Sequence, residues 1–339
     1  MFKMAKENNE LPLNLEEVNK TTGEVVKLDV NSASTVQPVA LMRLGLFVPT
    51  LKSTSRSKTN RKNVTDATEE LVQLSIAKSE GYTDVRITGS RLDMDTDFKV
   101  WLGIIRSMSE CGVKNDTLEL SFVEFVKMCG FDSRRSNKKM RDRISNSLFK
   151  LASVTLKFQS ETKGWTTHLV QSAYYDINED VVEIKAEPKL FELYHMDRRV
   201  LLRLKAIDAL QRKESAQALY TYIESLPQNP APISMKRMRD RLNLTSNVYT
   251  QNHTVRKAMT QLKDIGYLDY TEFKRGRSTY FSVHYRNSKL ISSTVKVPRK
   301  TEEETPEQNY DEVINALKAA GIDPQKLAKA LASVKPDND

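Results

Sequence analysis

The side chains of this amino-acid sequence that are best placed to bind a partner are basic. Lys and Arg concentrate in two segments, 134–143 and 234–277, and the second segment holds ten Lys and Arg against four Asp and Glu. Guanidinium and ammonium groups bind phosphate oxygens, and Arg or Asn can also pair with the edges of guanine or adenine. A basic helix face taken alone is often only a solvated surface. The helices and strands that position these cations therefore indicate whether the cations could bind a partner.

The segment 252–281 predicts a basic helix that leads into two short strands joined by a basic turn. The helix ends at Gly266, and its inward residues recur at helical spacing: Val255, Met259, Leu262 and Ile265. The candidate DNA contacts lie in three places: outside the apolar stripe, at the N-terminal end of the helix and at the turn between the strands. They are Tyr249, Thr250, Gln251, Asn252, His253, Arg256, Lys257, Thr260, Lys263, Lys274, Arg275 and Arg277. The preceding helix adds Lys236, Arg237 and Arg239, with Arg241 beside them.

A second basic helix is predicted in the first half of the chain. Its cations are Arg134, Arg135, Lys138, Lys139, Arg141 and Arg143. We expect these cations to contact phosphates, and we expect the neighbouring strands to offer a protein interface, because this half lacks an equally basic hairpin tip. Arg141 and Arg143 could instead pair with Asp142 or Glu124 at the surface.

The two basic helices occupy matching places in a repeated arrangement. Ser121 and Ser234 are predicted N-caps 113 residues apart, and the inward residues Ile144 and Val255 are offset by 111 residues. Each copy reads helix, helix, turn, basic helix and hairpin, which is the order of a winged-helix domain. In that fold the basic helix fits the major groove and the hairpin tip reaches the DNA beside it. The predicted fold class is α+β, with two tandem winged-helix domains related by an internal repeat.

Shifts in composition divide the chain into five parts. We predict a flexible N-terminal arm at 1–36, winged-helix domain 1 at 37–195, winged-helix domain 2 at 196–290, a linker at 291–309 and a short helical tail at 310–339. From these residues, domain 1 is expected to make phosphate contacts and to offer a protein interface, and domain 2 to present its basic helix and hairpin tip to DNA. The apolar run 38–50 predicts a buried strand.

Charge and hydropathy favour a protein with a phosphate-rich partner and disfavour a membrane-spanning or secreted protein. Lys and Arg number 53 against 44 Asp and Glu, and the formal net charge of +9 favours a phosphate-rich partner. No run approaches the roughly 18 apolar residues that span a bilayer. The N-terminus lacks the apolar centre of a signal peptide, so a cytoplasmic location is expected.

The sequence lacks the common catalytic motifs. There is no GxxxxGK[ST] loop, Cys111 and Cys129 form no CxxC pair, and the four His residues form no His-x-His pair. Tyr174 and Tyr175 could act as a nucleophile pair, but their strand-like context favours packing in a hairpin. We therefore expect no catalytic residue and no cofactor.

An acidic cluster precedes the helix predicted from residue 97. Asp93, Asp95 and Asp97 alternate, which could suggest a metal site. At the start of a helix, carboxylates more simply complement the helix dipole. We therefore expect no metal at this cluster.

The motif RLGLF at 43–47 is similar to the short Gln-Leu-x-Leu-Phe peptides that bind the bacterial sliding clamp. Arg43 replaces the Gln of those peptides, and the predicted buried strand explains the same residues. The sliding clamp is therefore a secondary candidate among the partners.

The segment LLRLKAIDALQRKESAQALYTYIES, at 201–225, carries a family resemblance. It resembles the linking segment of theta-type plasmid replication initiators, the initiator replication protein family. The matching residues are Leu204, Lys205, Lys213, Ser215, Leu219 and Tyr220. Ala218 stands where that family often has Arg, which removes one possible charge contact at the domain junction. Strings such as RLDMDTDFKVWLGII and IGYLDYTEFKRGRSTYF extend the resemblance to about 36–286.

The resemblance implies a function and a set of partners. Members of that family bind repeated sites (iterons) in double-stranded origin DNA as monomers, help to open the origin, and recruit the host replication initiator and replicative helicase. As homodimers, joined through the first winged helix, they often repress their own promoter. A plasmid replication initiator that is not an enzyme is therefore expected. The alternatives are a winged-helix transcription regulator that acts only at a promoter and a nicking enzyme, which the missing His-x-His pair disfavours.

Overall fold

The computed structural model describes residues 15–18, 25–28, 30–50, 64–66, 82–111, 117–132, 137–176, 178–196 and 199–287. The predicted linker at 291–309, the predicted tail at 310–339, and the cations Arg134 and Arg135 lie outside these residues. Within the described ranges, no helix is both long and apolar enough to cross a membrane.

The first half of the chain combines short strands with helices. Its strands are β1 (Leu15–Val18), β2 (Val25–Leu28), β3 (Ser34–Pro38), β4 (Phe47–Val48), β5 (Val64–Asp66), β6 (Asp84–Thr88), β7 (Leu92–Asp93), β8 (Thr117–Ser121), β9 (Thr155–Gln159), β10 (Gly164–His168), β11 (Val170–Asp176) and β12 (Val181–Ala186). Its helices are α1 (Val39–Arg43), α2 (Asp97–Cys111), α3 (Phe122–Met128), α4 (Lys138–Ser153) and α5 (Pro188–Met196).

The second half begins with a strand that pairs with a strand of the first half. This strand, β13 (Arg199–Arg203), pairs antiparallel with β3. The elements that follow are α6 (Leu204–Ala209), α7 (Glu214–Glu224), β14 (Ile233–Ser234), α8 (Met235–Leu242), α9 (Val248–Asp264), β15 (Leu268–Arg275) and β16 (Ser278–Arg286). The last three strands form one sheet in the order β14–β16–β15.

Both halves contain a common order of elements. In the first half α2, β8, α3, α4 and the hairpin β11–β12 follow one another, and in the second α7, β14, α8, α9 and the hairpin β15–β16. In each half the lone strand pairs antiparallel with the second hairpin strand, β8 with β12 and β14 with β16. The first half departs by inserting β9 and β10, which join β6 in a separate sheet. Each basic helix therefore lies between a short helix and a hairpin.

Serine caps begin the short helices α3 and α8. The Ser121 hydroxyl accepts the Glu124 N–H at 3.3 Å, and the Glu124 carboxylate accepts the Ser121 N–H at 3.2 Å, which completes a capping box. The Ser234 hydroxyl accepts the Arg237 N–H at 3.2 Å. Both N-caps predicted from the sequence are confirmed.

The apolar run 38–50 does not form the buried strand that its hydropathy predicted. It folds as α1, then turns at Gly45, whose φ is +72°, before the two-residue strand β4. Every residue of α1 is buried, so the run shows no polar face that could reveal a helical period. Burial on all sides is compatible with helix or strand, so hydropathy alone does not distinguish the two.

Strands occupy part of the stretch predicted as a flexible arm. Within 1–36, β1 pairs with β2, and β3 begins at Ser34. All of β3 is buried, although Ser34, Thr35 and Gln37 are polar. Gln37 remains satisfied because its side-chain oxygen accepts the Trp101 indole N–H at 2.9 Å. The predicted boundary at residue 36 therefore cuts through a core strand, which polar composition had concealed.

The segment 39–48 connects the cores of the two halves. Its elements α1 and β4 pack on α7. Arg241 of α8 is buried and donates to the backbone carbonyls of Met42 at 3.1 Å and Phe47 at 3.0 Å. Arg43 donates in the other direction, from Nη2 to the Ser225 carbonyl at 2.7 Å. Residues assigned from the sequence to the first domain thus complete the packing of the second.

Candidate nucleic-acid interface

Helix α9 divides cleanly into a buried and an exposed side. Val255, Ala258, Met259 and Leu262 are buried, which confirms the predicted inward stripe. On the exposed side lie Tyr249, His253, Arg256 and Thr260, four of the candidate DNA contacts. Their spacing of four, three and four residues places them on one face of the helix. This face is named here the outer stripe of α9.

The N-terminus of α9 is open to solvent and electropositive. Asn247 caps it by accepting the Thr250 N–H at 2.9 Å, and its first turn holds no acidic residue. Unpaired N–H groups and the helix dipole make such an end attractive to a phosphate. Val248 and Tyr249 are 58% and 84% exposed there. Val248 was not among the sequence candidates, because an apolar residue is ordinarily expected inside.

Gln251 and Asn252 lie away from the outer stripe. The Gln251 amide donates to the backbone carbonyls of Leu244 at 3.1 Å and Ser246 at 2.6 Å. It therefore braces the turn between α8 and α9. The Asn252 side-chain oxygen is buried and has no hydrogen-bond partner among the described residues.

Arg256 is held by a carboxylate from the hairpin. Its Nε donates to both Glu272 oxygens, at 2.9 and 3.1 Å, and its Nη2 donates to Oε1 at 2.7 Å. The hydrogen bonds to Glu272 raise the pKa of Arg256 above its ordinary value. The sequence placed Arg256 correctly on the exposed side but did not reveal this partner, which lies on another element 16 residues away.

The remaining cations of α9 differ in their surroundings. Lys257, beside the outer stripe, is exposed. Lys263, near the end of α9, forms an ion pair with Asp269 at 2.8 Å. Through this hydrogen bond the pKa of Lys263 is raised and that of Asp269 is lowered. Lys263 thus belongs to a second link between α9 and the hairpin.

The hairpin β15–β16 ends in the basic tip that the sequence predicted. Lys274, Arg275 and Arg277 are exposed around Gly276. The register pairs Arg275 with Ser278, so the loop has two residues, and Gly276 adopts φ +60°. A positive φ at the first loop residue alone is typical of a type II′ turn, where Gly is favoured. The tip therefore presents three cations on a tight turn.

The cations of α8 are less available than their number suggests. Lys236 pairs with Asp240 at 3.0 Å, and the Arg237 guanidinium lies 5.6 Å from the centre of the Tyr222 ring. Arg239 is half-buried. The sequence grouped Arg241 with these three residues. In the structure Arg241 is buried, and its guanidinium donates to backbone carbonyls of the segment 39–48.

Arg91 supports the turn between α8 and α9 from the first half. Its Nη1 donates to the Asn243 carbonyl at 2.8 Å, and its Nη2 donates to the Pro49 carbonyl at 2.9 Å. Asn243 ends α8 in the left-handed conformation at φ +45°. Nothing in the local sequence indicated this contact, which spans 152 residues.

Two arginines of α4 are held within the first half. The Arg141 Nη2 atom lies 3.4 Å from Asp180, and the Arg143 Nη2 atom lies 2.5 Å from Asp95. The partners considered from the sequence, Asp142 and Glu124, were therefore wrong. Two other predicted cations, Lys138 and Lys139, are exposed at the start of the helix.

The first-half hairpin β11–β12 has an acidic tip. Asp176, Glu179 and Asp180 surround its turn, so it does not resemble the basic tip of the second half. Tyr174 and Tyr175 lie in a strand, as predicted, but are 55% and 41% exposed and so do not serve as packing.

Tyr174 interacts with a carboxylate at the tip of its hairpin. Its hydroxyl donates to Asp176 at 3.3 Å, and the Asp176 carboxylate raises the pKa of Tyr174. A raised pKa keeps the Tyr174 hydroxyl protonated.

The acidic cluster before α2 is a structural network. Asp93 accepts the backbone N–H of Thr96 at 2.7 Å and of Asp97 at 3.2 Å, as expected for carboxylates at a helix start. Lys150 of α4 bridges Asp93 at 3.2 Å and Asp97 at 2.8 Å. No cluster of potential metal ligands occurs in the part of the chain that the structure describes.

The clamp-like motif at 43–47 is enclosed by the fold. Arg43, Leu44, Leu46 and Phe47 are all buried, with Phe47 1% exposed. A docking peptide must be accessible to its partner, so the motif is not presented in this fold.

An exposed basic helix beside a basic hairpin tip is typical of a DNA-binding protein. A family model described as "Initiator Replication protein, WH1" matches residues 93–224. "RepFIB replication protein A" of Salmonella typhi is 56% identical over 295 residues, covering 86% of this chain and 89% of that protein. "Replication protein RepA" of Salmonella typhi is 55% identical over 306 residues, covering 89% and 87%. The chain belongs to the Initiator Replication protein family, which confirms the resemblance seen in the sequence.

This chain is also similar to a further relative and to one solved structure. "RepFIB replication protein A" of Escherichia coli (strain K12) is 56% identical over 293 residues, covering 85% of this chain and 89% of that protein. The crystal structure of RctB domains 2 and 3 aligns over 73% of this chain and 98% of that chain, with a TM-score of 0.44 and 11% identity.

Proposed function

We propose that this protein is a plasmid replication initiator that binds repeated sites in double-stranded origin DNA and is not an enzyme. The observation that carries the proposal is the outer stripe of α9 beside the basic tip of the hairpin β15–β16. Membership of the Initiator Replication protein family and relatives named replication protein A support it.

The second half supplies the sequence-specific contacts in this proposal. It is a winged-helix domain whose helix α9 enters the major groove, with Tyr249, His253, Arg256 and Thr260 toward the base edges. The cations at the hairpin tip contact the adjacent phosphates. Their exposure supports this arrangement, since a contact to DNA needs side chains that are not enclosed.

The first half is a second winged-helix domain that contributes fewer phosphate contacts. Among the residues that the structure describes, Arg141 and Arg143 are in ion pairs and the hairpin tip is acidic, so Lys138 and Lys139 are the exposed candidates there. Arg134 and Arg135 stay in the proposal as phosphate contacts outside the described residues. The repeated element order and strand pairing support a common origin for the two domains.

Dimerisation through the first half is the second part of the proposal. Strand β11 lies at the edge of its sheet, and residues 171–175 are all exposed. An exposed edge strand offers unpaired N–H and C=O groups to another strand. As a homodimer the protein represses its own promoter; as a monomer it binds iterons, helps to open the origin, and recruits the host initiator and replicative helicase. Sliding-clamp binding is not part of the proposal, because the motif at 43–47 is buried.

Binding and footprinting on cloned origin DNA test the proposal. We expect direct repeats to be protected, each by one monomer, as measured by gel shift at increasing protein concentration. The competing function is that of a transcription regulator acting only at a promoter, which predicts a lone inverted repeat bound only by dimers. Incubation of supercoiled origin plasmid with Mg²⁺ tests the non-enzymatic assignment, and a covalent protein–DNA adduct would overturn it.

A further inference from the structure

Glu272 is an acidic residue placed on the proposed DNA-binding surface. It lies on β15, two residues before Lys274, so the two side chains share one face of the strand. Its side chain is 32% exposed and contacts Arg256, which is 47% exposed. A carboxylate at a phosphate-binding surface opposes binding by repulsion.

The contact uses one side of the Arg256 guanidinium. Nε and Nη2 donate to the carboxylate, whereas Nη1 is not part of the contact. A guanidinium has five N–H donors in a planar fork, so the end formed by Nη1 and Nη2 keeps donors directed away from Glu272. Two such donors match the O6 and N7 acceptors of guanine in the major groove. The ion pair therefore fixes the plane of Arg256 without using its outer donors.

The same contact makes Arg256 less able to bind phosphate. Turning the guanidinium toward the DNA backbone would break three hydrogen bonds to Glu272 and leave a carboxylate close to the phosphates. Phosphates occur at every base step, so an unrestrained Arg strengthens binding to any sequence. An Arg whose plane is fixed gains most where a guanine presents O6 and N7 to its outer donors.

We propose that Glu272 is a specificity-determining residue, which positions Arg256 to read a guanine in the major groove and withholds it from phosphates. This inference rests on the proposed function and deepens it, because it names a base and the acidic residue that enforces its recognition. Glu272 acts through Arg256 and is a positioning residue.

The test compares Glu272→Gln with Asp269→Asn in the full-length chain. Both substitutions remove one negative charge from an ion pair between α9 and the hairpin, but Asp269 pairs with Lys263 near the end of the helix. Affinities for an origin repeat and for a scrambled duplex of equal length are measured by fluorescence anisotropy over a range of salt concentrations. We expect E272Q to lower the ratio of specific to non-specific affinity about tenfold. Its salt slope on the scrambled duplex should steepen by about one.

Two further measurements show whether Glu272 acts through Arg256. In an Arg256→Lys background, E272Q should change the affinity ratio less than twofold, since Lys lacks the planar fork. Replacing guanines of the repeat one at a time by 7-deazaguanine removes the N7 acceptor. One position should weaken wild-type binding about tenfold, and that sensitivity should be lost in both R256K and E272Q. Glu272→Ala provides a second variant, and thermal melting verifies that each variant is folded.

The outcomes distinguish this inference from the function on which it rests. If the wild type prefers the origin repeat but E272Q behaves like D269N, the role assigned to Glu272 is wrong and the proposed function stands. An undiminished effect of E272Q in the R256K background also overturns it. If the wild type does not discriminate between the two duplexes, the proposed function fails and this inference fails with it.

Discussion

Arg91 and Asn243 are joined by a hydrogen bond of 2.8 Å from the Arg91 guanidinium to the Asn243 backbone carbonyl. Arg91 lies in the first half of the chain, and Asn243 ends α8 immediately before the turn into α9. The same guanidinium binds the Pro49 carbonyl at 2.9 Å. The turn that sets the direction of α9 is thus fixed by a residue outside its own half.

We expect Arg91→Ala to lower the free energy of unfolding by about 2 kcal/mol, because it leaves carbonyls without their charged donor. Affinity for the origin repeat should also fall, since the turn before α9 loses its support. Urea denaturation and fluorescence anisotropy measure the two effects. Arg86→Ala is the matched control, because Arg86 is 56% exposed and its pair with Asp84 should contribute less than about 1 kcal/mol. Equal losses in both variants would contradict a special role for Arg91.

The sequence predicted those features that follow from local periodicity. The inward stripe of α9 and the serine caps of α3 and α8 depend on residues three or four positions apart, and the structure confirms them. The basic hairpin tip around Gly276 depends equally on neighbouring residues.

Features decided by distant contacts could not be predicted in this way. The segment 39–43 is buried on every side, so its sequence carries no exposed polar face to mark a helical period. Arg241 appears in the sequence as one more cation of a basic helix, yet its acceptors lie nearly 200 residues earlier, at Met42 and Phe47. The contact of Glu272 with Arg256 likewise becomes visible only once the fold places β15 beside α9. Charge counts from sequence therefore overestimate the cations available to DNA.

Tyr249 is expected to contact the DNA through its ring. It is 84% exposed at the start of α9, beside the exposed Val248, where an apolar surface can meet thymine methyl groups in the major groove. Tyr249→Ala should weaken specific binding by about 1 kcal/mol and leave stability within about 0.5 kcal/mol. Binding to repeats with thymine replaced by uracil measures the effect. If the variant and the wild type lose equal affinity on that replacement, Tyr249 does not contact a methyl group.

Arg256 and Lys274 should respond differently to truncation. Arg256→Ala should cost about 1–3 kcal/mol at the specific site, because it removes a base contact. Lys274→Ala should weaken specific and non-specific binding alike and reduce the salt slope by about one, because it removes a phosphate contact. Salt titrations on both duplexes separate these effects. Unchanged affinity for the origin repeat in Arg256→Ala would show that the outer stripe is not the recognition surface.

Stability should depend on pH through Asp97 at the start of α2. Its side chain is 1% exposed, and burial, followed by the neighbouring Asp93 carboxylate, raises the pKa of Asp97 from 3.8 to about 6. The folded state therefore holds this proton more tightly than the unfolded state. The resulting stabilisation is complete below the unfolded pKa and is lost as the pH rises through about 6. We expect the free energy of unfolding of the wild type, minus that of Asp97→Asn, to fall between about pH 4 and 7 in urea denaturation.

Lys150 provides an independent check on the same titration. Its Nζ donates to the Asp97 carboxylate at 2.8 Å, and this hydrogen bond lowers the pKa of Asp97 against the larger effect of burial. Removing the ammonium in Lys150→Met should raise that pKa further, so the loss of stability should be larger and should extend to higher pH, while still beginning near the unfolded pKa. The comparison is again made with the matching Asp97→Asn double variant, which cannot ionise at this position. If the wild-type and Asp97→Asn curves run parallel over the whole range, Asp97 is ionised as readily in the folded state as in the unfolded state, and the network does not sense pH.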